Sequence, residues 1–265
     1  MTAELSSRRQ FLEEYRHIRH AEGRGSDQGE YYRALPFPTR SDPLFSMWAM
    51  RAKTYTHFTK HILQPLESAA KRPLDILDLG AGNCWLSNRL SERQHRPIAI
   101  DIFNDERDGL RAARHYRTTF PVIESDFDQL PLPSANFDMA IFNASLHYST
   151  EYYRTLSEIR RCLRPSGAVV ILDSPLYRNH QDGVRMVAEK HATFLRRYGF
   201  SSNALPSQEF LDIPALRALE RRLDMVWTAS KPWYGWRWHL RPLQALIRRR
   251  RAPSKFWILT GRFTR

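Results

Sequence analysis

A chain of 265 residues with 42% hydrophobic content is long enough to bury a substantial core as one α/β domain with additions. Its net charge of +13 points to anionic surroundings, while two cysteines, Cys84 and Cys162, exclude a disulfide framework and give no paired metal-ligand spacing. The longest clearly apolar strand, Ala168 to Leu172, is far too short to span a bilayer, and the charged start from Glu4 to Arg9 lacks a signal-peptide core, so a cytoplasmic chain is expected.

Residues 4 to 20 read as a polar helix with Leu5, Phe11, Leu12, Tyr15 and Ile18 loosely on one face, and Gly23, Gly25 and Gly29 then mark a flexible break. Ser41-Asp42-Pro43 starts a helix expected to run to about Ala70, interrupted near Pro65. Strands and helices alternate from Leu74 onward. Strands are predicted over 74–79, 97–101, 120–124, 137–142 and 168–173, with helices over 84–93, 106–116 and 150–163. Helices over 180–198, part of 207–220 and 242–251 follow, with strands over 222–229 and 255–261. Such alternation implies a doubly wound, mostly parallel α/β sheet with right-handed crossovers. The chain divides into an N-terminal helical cap over 1–71 and a main domain over 72–265, which includes a basic segment over 231–265.

The stretch from Asp75 to Ser87 reads as a buried strand running into a glycine turn that opens a helix. Gly80 and Gly82 let the backbone turn tightly and approach a ligand. A dinucleotide fingerprint needs a third glycine where Trp85 stands, and an indole there is expected to push the helix off the strand. The Gly-Lys-Ser/Thr ending of a phosphate loop is missing as well. Asp78, two residues before the first glycine, repels a pyrophosphate and attracts a cation, so a sulfonium cofactor with a free ammonium group fits better. Asp101 closes the next strand 19 residues after Gly82, the spacing of a ribose-binding carboxylate in a doubly wound fold.

This segment resembles motif I of the class I S-adenosylmethionine-dependent methyltransferases, and the resemblance runs from about residue 72 through Arg164-Pro165-Ser166-Gly167 to about residue 175. Phe137 to Asn143 followed by Ala144-Ser145-Leu146-His147-Tyr148 is similar to the branch called methyltransferase type 11. The resemblance implies a Rossmann-like sheet of seven strands completed by a hairpin of the last two. It further implies that Asp78 lies near the methionine end of S-adenosylmethionine beside the turn Gly80, Ala81, Gly82 and Asn83. Asp101 with Ile102 then meets the ribose, and Asp126 with Phe127 the adenine. Asn143, at the end of the fourth strand, faces the crevice where such folds expose ligand contacts. Many members carry a third glycine where this chain has Cys84, which is expected to crowd the pocket.

A methyl on sulfonium is already activated, so the protein mainly aligns the acceptor and excludes water. His147 is a candidate base because a histidine titrates near neutrality, and Asp173 is a candidate for positioning the acceptor; a packed ring and a capping carboxylate are the ordinary roles for each. Asn143-Ala144-Ser145-Leu146 does not match the Asn/Asp-Pro-Pro-aromatic motif of adenine and glutamine amino methylases. Neither cysteine follows a proline, as a cytosine-carbon methylase requires. A small or lipid-linked acceptor, methylated at oxygen or carbon, is therefore expected.

Residues 231–265 carry ten Lys or Arg and no Asp or Glu, and five of the seven tryptophans fall between Trp227 and Trp257. Such a segment suits an anionic membrane surface, at the inner face for a cytoplasmic chain, or nucleic-acid phosphate. An RNA methylase standing on this segment and a non-catalytic binding protein of the same fold are the alternatives, and plain solvation of the arginines is the simplest outcome.

Overall fold

Four helices precede the sheet in the computed structural model, which describes residues 2–264. α1 (Thr2–Ala21) and α2 (Gly29–Ala34) flank the glycine-rich stretch, so the expected break is shorter than predicted and itself ends in a helix. α3 (Phe45–Phe58) passes through a π turn at Thr59–Leu63 into α4 (Gln64–Ala70). The wide turn sits just ahead of Pro65, which has no N–H for the regular ladder and crowds the carbonyl four residues earlier. The interruption expected at Pro65 is thus a local widening, and the helix continues.

The strands follow: β1 (Asp75–Leu79), β2 (Arg96–Asp101), β3 (Val122–Glu124), β4 (Phe137–Asn143) and β5 (Leu163–Leu172), with α5 (Trp85–Glu92) after β1 and α6 (Tyr152–Cys162) after β4. Short strands β6 (Leu176–Tyr177) and β7 (Leu211–Asp212) pair in parallel apart from the main sheet, around α7 (His180–Tyr198), and α8 (Ile213–Leu223) follows β7. β8 (Met225–Ser230), α9 (Trp236–His239), α10 (Arg241–Ile247) and β9 (Ile258–Phe263) complete the chain. The seven-stranded sheet runs β3-β2-β1-β4-β5-β9-β8, parallel except that β9 is antiparallel to both β5 and β8. The last two strands pair as expected, but residues 231–257 stand between them in place of a tight turn. Met1 and Arg265, the outer bounds of the two predicted regions, lie outside the described residues.

Burial on both faces explains the apolar strands. One layer packs Ile76 and Met139 with Trp48, Phe58, Leu86 and Leu90; the other packs Leu77, Leu79 and Val169 with Leu156, Ile159, Leu216 and Leu219. At the N-terminal ends of the strands, Arg164 bridges Asp75 at 2.8 Å and Asp138 at 2.7 Å, and Arg72 reaches Asp138 at 2.7 Å. Burial alone raises the Asp138 pKa, but hydrogen bonds from Arg72, the Asp75 N–H and Arg164 outweigh it and hold the carboxyl at about 2. Charge ties the strands at this end, and the opposite end is left open for a site.

The helix predicted over 106–116 is reduced to a 3-10 helix at Leu110–His115. Asp105 Oδ1 accepts from the N–H groups of Arg107 at 2.9 Å and Asp108 at 3.0 Å, a side-chain turn that competes with helix. Among the described residues no helix is long and apolar enough to cross a membrane.

Candidate active site

Gly80 has φ +71°, and a Cβ there would lie 2.2 Å from the Ser145 Cβ, so only glycine fits this turn. The N–H groups of Gly80 and Ala81 both donate to the Ile100 carbonyl, at 2.7 and 3.0 Å, which pins the turn to β2. The next amide, Gly82 N, donates to Asp101 Oδ2 at 2.8 Å, and Asp101 Oδ1 accepts from Phe103 N at 2.8 Å. Burial raises the Asp101 pKa, although the N–H groups of Phe103, Gly82 and Ile102 pull it back.

Above this turn lies a cavity of about 1070 Å³ at the C-terminal ends of the parallel strands. Gly80, Ala81, Gly82, Asn83, Asp101, Ile102, Asp126, Phe127, Asn143, His147 and Asp173 all line it. Eleven of the twelve predicted site residues are therefore brought together. The cavity is at the upper end of the roughly 300–1,000 Å³ common for ligand sites, with room for an acceptor beside a cofactor.

Asp78 is the exception. It is fully buried behind the turn, away from the cavity lining, and its Oδ2 accepts from Ser87 Oγ at 2.7 Å and Ser87 N at 3.1 Å. The carboxylate ties β1 to the first turn of α5 and is not among the residues that line the cavity. Burial raises its pKa to about 7 against the lowering by the Ser87 bonds, and its Oδ1 has no hydrogen-bond partner.

Two expectations around the turn are corrected. Cys84 does not crowd the pocket: it caps α5 in the left-handed region, φ 63°, and its side chain is fully buried with its Sγ 3.9 Å from the Leu110 carbonyl. Trp85 does not push the helix from the strand. Its indole packs edge-on against Trp48 at 6.0 Å and Tyr55 at 5.6 Å, so it fastens α3 to the site.

α1 forms a wall across the cavity. Arg8 pairs with Asp126, and Arg19 with the buried Asp108; Tyr15 meets Phe103 at 5.1 Å and Tyr148 at 6.1 Å. Asp126 is thus within reach of a ligand and of a lid residue at once. On the far side, Asp173 sits in the left-handed region, φ 48°, with its Oδ1 accepting from Thr54 Oγ1 at 2.6 Å. Thr54 also meets the Tyr234 hydroxyl at 2.8 Å. Burial raises the Asp173 pKa, while Arg51 and Thr54 lower it. His147 Nδ1 lies 3.2 Å from Ser174 Oγ, and burial, with Lys190 and Arg51 nearby, pushes its pKa down to about 3. The imidazole is therefore neutral at physiological pH and a poor proton acceptor.

Sequence reasoning did not find Arg51, Trp48 or Tyr15 as lining residues. Arg51 stands over the Trp48 ring, its guanidinium carbon 5.6 Å from the centroid, and makes no ion pair or hydrogen bond with the described residues. Burial lowers its pKa, and Asp173 acts against that. The i,i+3 spacing of Trp48 and Arg51 on α3 is the one signal that places them on a common face.

The family profile described as a methyltransferase domain matches residues 77–171. The malonyl-[acyl-carrier protein] O-methyltransferase of Buchnera aphidicola is 28% identical over 97 residues, 37% of this chain and 38% of that protein. The dimethylglycine N-methyltransferase of Parasynechococcus marenigrum is 30% identical over 132 residues, 48% of this chain and 46% of that protein. The chain thus spans less than half the length of each of these curated relatives. Among solved structures, an S-adenosylmethionine dependent methyltransferase from Mesorhizobium loti superposes with a TM-score of 0.50 at 19% identity, covering 72% of this chain and 91% of that one. The sheet order and the glycine turn agree with that profile: residues 77–171 match a methyltransferase domain, and the sheet they belong to has the Rossmann-like fold of the class I methyltransferases.

Proposed function

We propose that this chain is an S-adenosylmethionine-dependent methyltransferase that passes the methyl group to a small or lipid-linked acceptor, at oxygen or carbon, by in-line displacement. The observation that carries the reading is Asp101, a half-buried carboxylate at the end of β2 that holds Gly82 N and faces the cavity. When bound, the cofactor supplies a methyl group already activated on sulfur. Asp101 and Ile102 hold the ribose, Asp126 and Phe127 the adenine, and Gly80 to Asn83 with Asn143 the methionine part. Asn143 supports this fit: its Oδ1 is buried and lacks a partner, an acceptor available to a ligand N–H.

His147, held neutral, orients the acceptor and does not deprotonate it. Asp173, with its raised pKa, is the better-placed group to position an acceptor hydroxyl or take its proton. An acceptor that arrives already ionised needs neither. The relatives named above act on a carrier-linked and a small acceptor, which supports the same breadth here.

Calorimetry with S-adenosylmethionine and S-adenosylhomocysteine tests the reading. Saturable binding of both is expected, and a folded protein that takes up neither at millimolar concentration would sink it.

A further inference from the structure

Outside the cavity, the largest feature without a role is the surface between Trp233 and Arg250. Six of the eleven exposed large hydrophobic side chains among the described residues fall within it: Trp233, Trp236, Leu240, Leu243, Leu246 and Ile247. Trp236 and Leu246 are each 75% exposed and Ile247 is 73% exposed. Leu240, Leu243, Leu246 and Ile247 follow helical spacing and share one face along α10. Arg237, Arg248, Arg249 and Arg250 are exposed and form no ion pair with the described residues, and 231–265 contains no acidic side chain.

The occupant must satisfy both halves of this surface. Nucleic-acid phosphate neutralises the arginines, and bases stack on the tryptophans, but Leu240, Leu243, Leu246 and Ile247 stay in water. A second copy brings the same positive sign against it. An anionic bilayer meets both demands, with lipid phosphates at the arginines, aliphatic side chains at the acyl boundary and tryptophans at the headgroup level. We propose that Trp233 to Arg250 is a docking surface for an anionic lipid bilayer, lying in the plane of the interface without crossing it.

The surface is also joined to the cavity wall. The Trp238 ring stacks 5.4 Å from Phe256, which lines the cavity, and the Tyr234 hydroxyl reaches Thr54 and donates to the Phe256 carbonyl at 2.9 Å. Membrane docking therefore acts on a fixed part of the molecule. The inference stands apart from methyl transfer, because vesicle binding is read without cofactor or acceptor.

Co-sedimentation of the full chain with phosphatidylcholine vesicles, with and without phosphatidylglycerol, tests it. Binding is expected to the mixed vesicles and to fall with salt. Trp236→Ser and Ile247→Ser, both at exposed positions, should each weaken it about tenfold. Arg248→Ser and Arg249→Ser should each weaken it about fivefold and flatten the salt dependence. Thermal melts check that the variants remain folded. Failure of the folded native chain to bind mixed vesicles overturns the proposal, as does undiminished binding by the Trp236/Ile247 double variant. Gel shifts with a polynucleotide in the absence of vesicle binding would assign the surface to nucleic acid instead. A dimer in sedimentation equilibrium that Trp236→Ser dissociates would assign it to a second copy, and also overturns it.

Discussion

Asp101 holds the amide of Gly82 with one carboxylate oxygen and the amide of Phe103 with the other, both at 2.8 Å, so one side chain sets the cofactor turn and the start of the next loop. Each oxygen keeps a lone pair for a ligand hydroxyl. Asp101→Asn removes the charge from those bonds, and a charge-assisted hydrogen bond contributes about 1.5–3 kcal/mol. Calorimetric affinity for S-adenosylhomocysteine should fall about tenfold to a hundredfold. An unchanged affinity would mean that the ribose lies elsewhere.

Asp78 gives the fold a pH dependence of its own. Its pKa rises from 3.8 to about 7 on folding, so the folded chain holds a proton that the unfolded chain has lost. The corresponding stability is present below about pH 4, declines as pH rises to about 7, and is at most about 4 kcal/mol. Asp78→Asn cannot ionise, so the difference between native and variant unfolding free energies should slope across this window and level off above it. Urea titrations at several pH values check it, and parallel curves would exclude the buried proton.

Cys84 carries an L side chain in the left-handed region, which costs about 1–2 kcal/mol. Cys84→Ala keeps that strain and loses the packed sulfur. Cys84→Gly loses slightly more volume but releases the strain, so it should be at least as stable as the alanine variant, against the usual order inside a protein. Denaturant midpoints decide this. Neither change should alter cofactor affinity, because Cys84 does not line the cavity.

His147 has its pKa lowered from 6.5 to about 3, so it gains no charge between neutrality and about pH 4. The pH profile of methyl transfer should show no inflection from this ring, and His147→Gln should lower the rate while leaving the profile's shape intact. Loss of an inflection near 6.5 in that variant would restore His147 as a base.

The order of the sheet was legible because strands buried on both faces read as continuous apolar runs bounded by turns. Asp101 was legible because a strand end and a fixed spacing locate it. Asp78 looked equally well placed, yet its partner, Ser87, lies in the first turn of α5, and the strand itself carries no signal for that bond. Arg8 meets Asp126 across 118 residues of sequence and Arg19 meets Asp108 across 89. Nothing local announces such pairs. The predicted helix over 106–116 failed because Asp105 offers the backbone a competing turn, a signal that was present in the sequence and outweighed there by the apolar spacing.

The pairing of β5 with β9 bears on what can fold alone. Val169, Val170 and Ile171 lie opposite Gly261, Thr260 and Leu259 in the antiparallel ladder with β9, all distant from the matched stretch. A polypeptide cut to residues 77–171 would keep the glycine turn but end on a bare hydrophobic strand, an invitation to stack with its own kind. The family signature marks where the chemistry is encoded, and the solubility of that stretch is supplied by residues outside it.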